Sequence, residues 1–143
     1  MTSLVVIDAP CVVDVLFNGD RGLDVRDVIY GRSLAAPTSI DMDVVSTLAR
    51  IPTTASSAEN IRVRVELYLT MPLKRYDVSA LMLDAWDLRV DCSLGDALYI
   101  ALAEHLDVPL VTRDPGLAAA CSRSILVEAA PWWGFGLPPT TTS

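Results

Sequence analysis

Ser93-Leu94-Gly95-Asp96-Ala97-Leu98-Tyr99-Ile100-Ala101-Leu102-Ala103-Glu104-His105-Leu106 is followed, after Asp107 alone, by Val108-Pro109-Leu110-Val111-Thr112-Arg113-Asp114. The first stretch predicts a helix that starts behind a Ser cap. The second predicts a buried strand joined to it by almost no loop. Upstream, residues 3–8 are β-branched and apolar and close on Asp8, a second buried strand. Between these two strands the pattern keeps switching. Short helices are expected over Pro10–Phe17 and Gly22–Tyr30, and a weak strand at Leu34-Ala35-Ala36. A helix should be opened in capping-box style by Thr38-Ser39-Ile40-Asp41, with Ile40, Val44, Val45, Leu48 and Ile51 forming one stripe.

Pro52 and the Thr/Ser-rich residues 53–57 read as a loop, followed by a helix from about Ala58 to Thr70. A short strand is expected over Leu73–Val78. Ser79–Leu88 should form an amphipathic helix with Leu81, Met82, Ala85 and Trp86 inward. Beyond Asp114 come a short helix to Cys121 and a last strand over Ser124–Val127. Strand and helix alternate throughout, which argues for helices layered on a mostly parallel sheet. The composition changes at Pro131, so the domain is placed at residues 1–130 and a tail at 131–143.

The chain has 143 residues, 52% of them hydrophobic, enough to bury a sizeable core within one domain. No apolar run approaches the ~18 residues that span a bilayer, and the Met1 end lacks the basic region of a signal peptide. A cytoplasmic protein with no membrane association is the expectation. The net charge is −7, with Lys74 the single lysine, which counts against a broad electrostatic footprint on nucleic acid. Cys11, Cys92 and Cys121 are widely spaced without a C-x-x-C pair, so reduced thiols are expected rather than disulfides or a zinc site.

Four aspartates fall where apolar segments end or turn: Asp8, Asp43, Asp96 and Asp114. In an open α/β sheet, ligands collect outside the carboxyl ends of the strands. Carboxylates gathered there raise one another's pKa unless cations intervene, and their oxygens are the hard donors that Mg²⁺ and Mn²⁺ prefer. Each also has a plain structural explanation. Asp8 can start a turn, and Asp96 stands three residues after Ser93, as a capping box requires. Asp41 has the same relation to Thr38. Asp41 and Asp43 are roughly 200° apart on a helix, so both cannot face one ligand, and capping accounts for Asp41. Asp14, Asp91 and Asp107 read as surface charges, and His105, the one histidine, as solvated. Tyr99, Trp86, Trp132 and Trp133 read as packing residues. Arg62, Arg64, Lys74 and Arg75 are candidates for phosphate contact, weighed against solvated helix faces. There is no G-x-G-x-x-G or Walker A sequence to cradle a nucleotide.

Four segments together resemble the PIN-domain ribonucleases, specifically the VapC toxins of bacterial toxin–antitoxin pairs. They are Val5-Val6-Ile7-Asp8-Ala9; Ala36-Pro37 with Asp43-Val44 and Leu48-Ala49-Arg50; Ser93 through Glu104; and Pro109-Leu110-Val111-Thr112-Arg113-Asp114. They cover residues 4 to about 128 in order. The resemblance implies a three-layer α/β/α sandwich whose mostly parallel sheet has about five strands. It implies an acidic quartet at Asp8, Asp43, Asp96 and Asp114 that binds metal and performs catalysis, with Ser93 as a nearby hydroxyl. Mg²⁺ or Mn²⁺ would be the cofactor, RNA the substrate, and a homodimer silenced by a cognate antitoxin the assembly. Two positions depart from the pattern: Asp43 stands where the family usually has Glu, and Pro10 where it often has Ser. With the acidic surface, these favour the alternative: a PIN-fold protein impaired in catalysis that acts mainly as a protein- or RNA-binding partner.

Overall fold

The computed structural model describes residues 3–17 and 20–128. The tail at 131–143, with Trp132, Trp133 and Phe135, lies outside them. Five strands form one parallel sheet: β1 (Ser3–Ile7), β2 (Arg32–Pro37), β3 (Lys74–Tyr76), β4 (Leu110–Thr112) and β5 (Ser124–Leu126), in the order β3-β2-β1-β4-β5. Around it lie α1 (Ala9–Phe17), α2 (Asp20–Ile29), α3 (Ile40–Ala49), α4 (Ala58–Thr70), α5 (Met82–Leu88), α6 (Leu94–Leu106) and α7 (Pro115–Ala120).

The chain steps from β1 outward to β2 and β3, then returns across the sheet to β4 and β5. Right-handed crossovers that run in opposite directions must use opposite faces of a sheet. That puts α1–α4 in one layer and α5–α7 in the other, giving the three-layer sandwich. The step reverses between β1 and β4, so the crevice belongs at their carboxyl ends. No described helix is long and apolar enough to cross a membrane.

Local sequence explains most of these elements. β1 is buried between two neighbours, and Val5, Val6 and Ile7 are fully covered. β2 is longer than its Ala-rich sequence suggests, because pairing with strands on both sides outweighs weak intrinsic preference. Its buried Ala35 and Ala36 point to opposite faces of the sheet and put a small side chain beneath each helical layer. α6 is buried on all sides over two turns, from Ala97 to Ala103, between the sheet and α5. The helix ends at Asp107, whose φ of 57° is left-handed and whose carboxylate pairs with Arg123.

The expected helix over Ser79–Leu88 needs correction. Asp77 caps a 3₁₀ turn, Val78–Leu81, before α5 begins at Met82. A 3₁₀ helix has three residues per turn, so it rotates the phase of the helix behind it. Leu81 and Ala85 face inward as expected, but Met82 is 38% exposed and Trp86 52%. Trp86 is covered by Arg89, stacked 3.6 Å from its ring centroid, rather than by the core.

Asp41 also departs from expectation. It faces away from the sheet's carboxyl-end crevice, yet it caps nothing. Ser39 is the N-cap residue of α3 and makes no side-chain cap bond, while the Thr38 hydroxyl accepts from the Val78 N–H. The Asp41 Oδ1 instead accepts from the buried Tyr68 hydroxyl at 2.5 Å and from Arg75 Nε at 2.9 Å. Burial alone would raise the Asp41 carboxyl. The two hydrogen bonds and the Arg75 charge outweigh it and hold the group below the ordinary carboxylate range. Its contribution to stability is therefore present above the unfolded value and lost as pH falls through the lower folded one. Tyr68→Phe should cost about 1 kcal/mol of stability by removing one of these bonds. Chemical denaturation would show this as a lower midpoint; an unchanged midpoint would mean the cluster is incidental.

Candidate active site

The register between β1 and β4 pairs Ile7 with Val111, so the next residues, Asp8 and Thr112, stand side by side as the strands end. They are the two buried polar side chains among the described residues, 3% and 0% exposed. They satisfy one another: the Thr112 hydroxyl donates to Asp8 Oδ2. Asp8 Oδ1 accepts from the Cys11 backbone N–H at 3.1 Å, in the first turn of α1. Burial raises the Asp8 carboxyl, the hydrogen bonds from Thr112 and Cys11 oppose that, and the Asp114 charge adds to the rise. The neighbouring Cys11 thiol is pushed up by burial and by the Asp8 charge, which makes it an inert core group.

Asp114 follows two residues beyond β4 and caps α7. Its Oδ1 accepts from Gly116 N at 2.8 Å and Leu117 N at 3.4 Å, while its own N–H donates to the Thr112 hydroxyl at 3.0 Å. Thr112 thus ties the first and last carboxylates together. A Cβ at position 116 would sit 3.2 Å from Asp114 Oδ1, so this turn is fitted to glycine.

The other two carboxylates come from helix starts. As the crossover helix leading into β4, α6 runs against the strands and places its first turn over their carboxyl ends. There the Ser93 hydroxyl accepts from Asp96 N at 3.1 Å. Asp96 lies in that first turn of α6. Asp43 lies in the first turn of α3, which follows β2, and its Oδ2 accepts from the Tyr99 hydroxyl at 2.7 Å. Tyr99 is one turn beyond Asp96 on the same helix. Burial, then the Asp43 carboxylate, keep its phenol protonated and so a donor.

Asp8, Asp43, Asp96 and Asp114 all line one open cleft of about 470 Å³, and Asp41 does not. Ser93 and Pro10 also line it. Pro10 sits in the first turn of α1, where a missing N–H is tolerated. Among the described residues, no three acidic, histidine or cysteine side chains converge closely enough to hold an ion by themselves. The donor set is nonetheless all hard oxygen, in a cleft whose deepest carboxylate is buried and hydrogen-bonded without a cation beside it. That chemistry suits a divalent ion completed by water.

Several charged residues take other places than expected. Asp14 is not solvated: it pairs with Arg113 Nε at 2.6 Å, because α1 packs beside β4. The residue preceding Asp114 is thereby turned away from the cleft. Arg62 pairs with Glu66 on an exposed helix face, Arg64 lies over Phe17, Lys74 over Tyr76, and Arg75 binds Asp41. None of these four lines the cleft. Asp91 and His105 are exposed as expected, and the three cysteines are free.

Sequence reasoning missed Thr112, the bonding role of Tyr99, and Arg50, which lines the cleft with Ser46 and Thr47. A hydroxyl at the inner end of a buried strand, two residues before an aspartate, was the available signal for Thr112. For Tyr99 it was the one-turn spacing from Asp96.

Four carboxylates thus line one cleft at the switch point of a parallel α/β/α sandwich. The chain belongs to the PIN domain family, whose pattern matches residues 5–122. It is 35% identical over 118 residues to Ribonuclease VapC3 of Mycobacterium tuberculosis, covering 81% of this chain and 86% of that protein. It is 36% identical over 118 residues to Ribonuclease VapC1 of the same species, covering 80% and 89%. Among solved structures it resembles a toxin–antitoxin complex from Klebsiella pneumoniae, with TM-score 0.63 and 17% identity over 88% of this chain and 99% of that one.

Proposed function

We propose that this protein is a Mg²⁺- or Mn²⁺-dependent endoribonuclease, the toxin of a toxin–antitoxin pair acting on structured or messenger RNA in the cytoplasm. One observation carries the reading: four aspartates, one of them buried, line a single cleft in a PIN domain whose relatives are named ribonucleases. Asp8, Asp96, Asp114 and Asp43 would hold the metal. When bound, the ion supplies an acidified water and neutralises charge on the scissile phosphate. The protein's own residues then have separate tasks. Asp8 is fixed by Thr112 and Cys11 and gives the site its rigid floor. Tyr99 occupies Oδ2 of Asp43, which leaves Oδ1 to orient the attacking water or accept its proton.

The test uses purified, antitoxin-free protein with total RNA. Cleavage in Mg²⁺ or Mn²⁺ that EDTA abolishes is the expected result. RNA left intact across the metal range would favour the second reading, a PIN-fold binding partner with impaired catalysis. The observation on that side is that the carboxylates do not close into a three-ligand set unaided.

The assembly is part of the same proposal. Leu67, Leu69, Leu83, Trp86 and Val90 are between 49% and 82% exposed on and just beyond α4 and α5. Such apolar surface marks interaction sites, and we assign it to a second copy of the chain and to an antitoxin segment. A basic antitoxin segment would be drawn to a protein of net charge −7. Sedimentation at micromolar concentration should show a dimer; a monomer there would remove the homodimer from the proposal.

A further inference from the structure

Asp43, Ser46, Thr47 and Arg50 all line the cleft and are spaced i, i+3, i+4 and i+7, so they form one stripe along α3. The stripe changes character along its length, from a carboxylate through two hydroxyls to a guanidinium. Arg50 Nη2 reaches the Thr47 hydroxyl at 3.5 Å, and that hydroxyl donates to the Asp43 backbone carbonyl at 2.7 Å. Among the described residues lining the cleft, Arg50 is the one cation, and no ion pair engages it. The nearby alternatives are committed elsewhere, Arg113 to Asp14 and Arg75 to Asp41.

A cleft holding four carboxylates repels a polyanion everywhere except where a cation offsets it. Arg50 stands seven residues beyond Asp43, roughly 10 Å along the helix axis. Its side chain reaches back along α3, with Nη2 at the Thr47 hydroxyl, so the guanidinium faces the same cleft as the carboxylates. A planar fork of donors with no carboxylate partner suits phosphate oxygens.

We propose that Arg50 is a substrate-binding residue: its guanidinium grips an RNA backbone phosphate on the α3 wall of the cleft that the four aspartates line. This rests on the ribonuclease reading and adds to it a backbone contact opposite in charge to the carboxylates. The contact is to backbone and therefore independent of base sequence.

The experiment compares Asp8→Asn with the double variant Asp8→Asn/Arg50→Gln. Binding of a labelled single-stranded RNA is followed by fluorescence anisotropy across a NaCl series. Losing one phosphate contact should flatten the plot of log K against log[salt] by about 0.7. It should weaken binding by about tenfold, equally for RNAs of different sequence. In the otherwise native protein, Arg50→Gln should raise KM by a similar factor and leave kcat in place, the mark of uniform binding. Arg50→Lys should recover the salt slope and part of the affinity. A role confined to the end of α3 would instead lower the melting temperature and leave the slope alone. An unchanged slope and KM, in protein that still cleaves RNA, overturns the Arg50 assignment and spares the ribonuclease reading. RNA neither bound nor cleaved by the unsubstituted protein overturns both.

Discussion

Asp8→Asn is expected to remove at least about 100-fold of metal-dependent RNA cleavage while the protein stays folded. Loss of an outer partner at a metal site already costs about 10–100-fold, and a direct carboxylate ligand should cost no less. The effect on stability has two opposed parts. The amide abolishes a buried charge whose carboxyl is held above its ordinary value of 3.8 chiefly by burial. It also turns an NH₂ toward Thr112, whose hydroxyl already accepts from Asp114 N, and an unpaired buried O–H costs about 1–3 kcal/mol.

pH separates the two. A group with a raised folded pKa contributes stability that is present below its unfolded value and is lost as pH rises through the folded one. Without divalent ions, the melting temperature of Asp8→Asn relative to the native protein should therefore be most favourable near neutrality. It should become less favourable as pH falls through the range above 3.8. Adding Mg²⁺ or Mn²⁺ should stabilise the native protein and not the variant, since on the proposed reading Asp8 is one of the groups that would hold the ion. A difference that is flat in pH and insensitive to metal would show that Asp8 is structural.

Leu102→Ala should give the opposite pattern, a large loss of stability with the site chemistry intact. Leu102 is fully buried on α6, six residues from Asp96 and about 240° around the helix, and it does not line the cleft. Removing three buried carbons from such a position costs about 2–5 kcal/mol. Against a typical total of about 5–15 kcal/mol, that is a large share. Urea denaturation should record the loss, and cleavage per folded molecule at low temperature should be close to native. A small shift in midpoint would mean that α6 repacks on the sheet.

The contrast between these two positions shows what the sequence could reveal. The buried runs ending at Asp8 and Asp114 announced themselves, because a strand covered on both faces must be continuously apolar. α6 did so by its length and its Ser93 cap. The carboxylates of the cleft were legible because each sits where an apolar segment ends or turns, although a cap or a turn would account for such an acid as well. What escaped was set by contacts between distant segments. Asp41 looked like a cap by local spacing, yet Tyr68 and Arg75 claim it from 27 and 34 residues away. Asp14 looked solvated until β4 brought Arg113 beside it. Trp86 was misplaced because a 3₁₀ turn, invisible to a count of 3.6 residues, shifted the face of α5. Thr112 and Tyr99 read as ordinary strand and core residues because their partners lie in other segments.

The bond from Thr112 to Asp8 spans 104 positions of the chain. During synthesis the amino-terminal strand emerges first, and long-range pairings wait for their second half. Until β4 leaves the ribosome, Asp8 has neither its hydroxyl partner nor Asp114 beside it, although Asp43 and Asp96 are already made. Any product truncated before residue 112 carries three of the four carboxylates and no assembled site. On the proposed reading, the cleft would therefore come together only when translation of the chain is nearly finished.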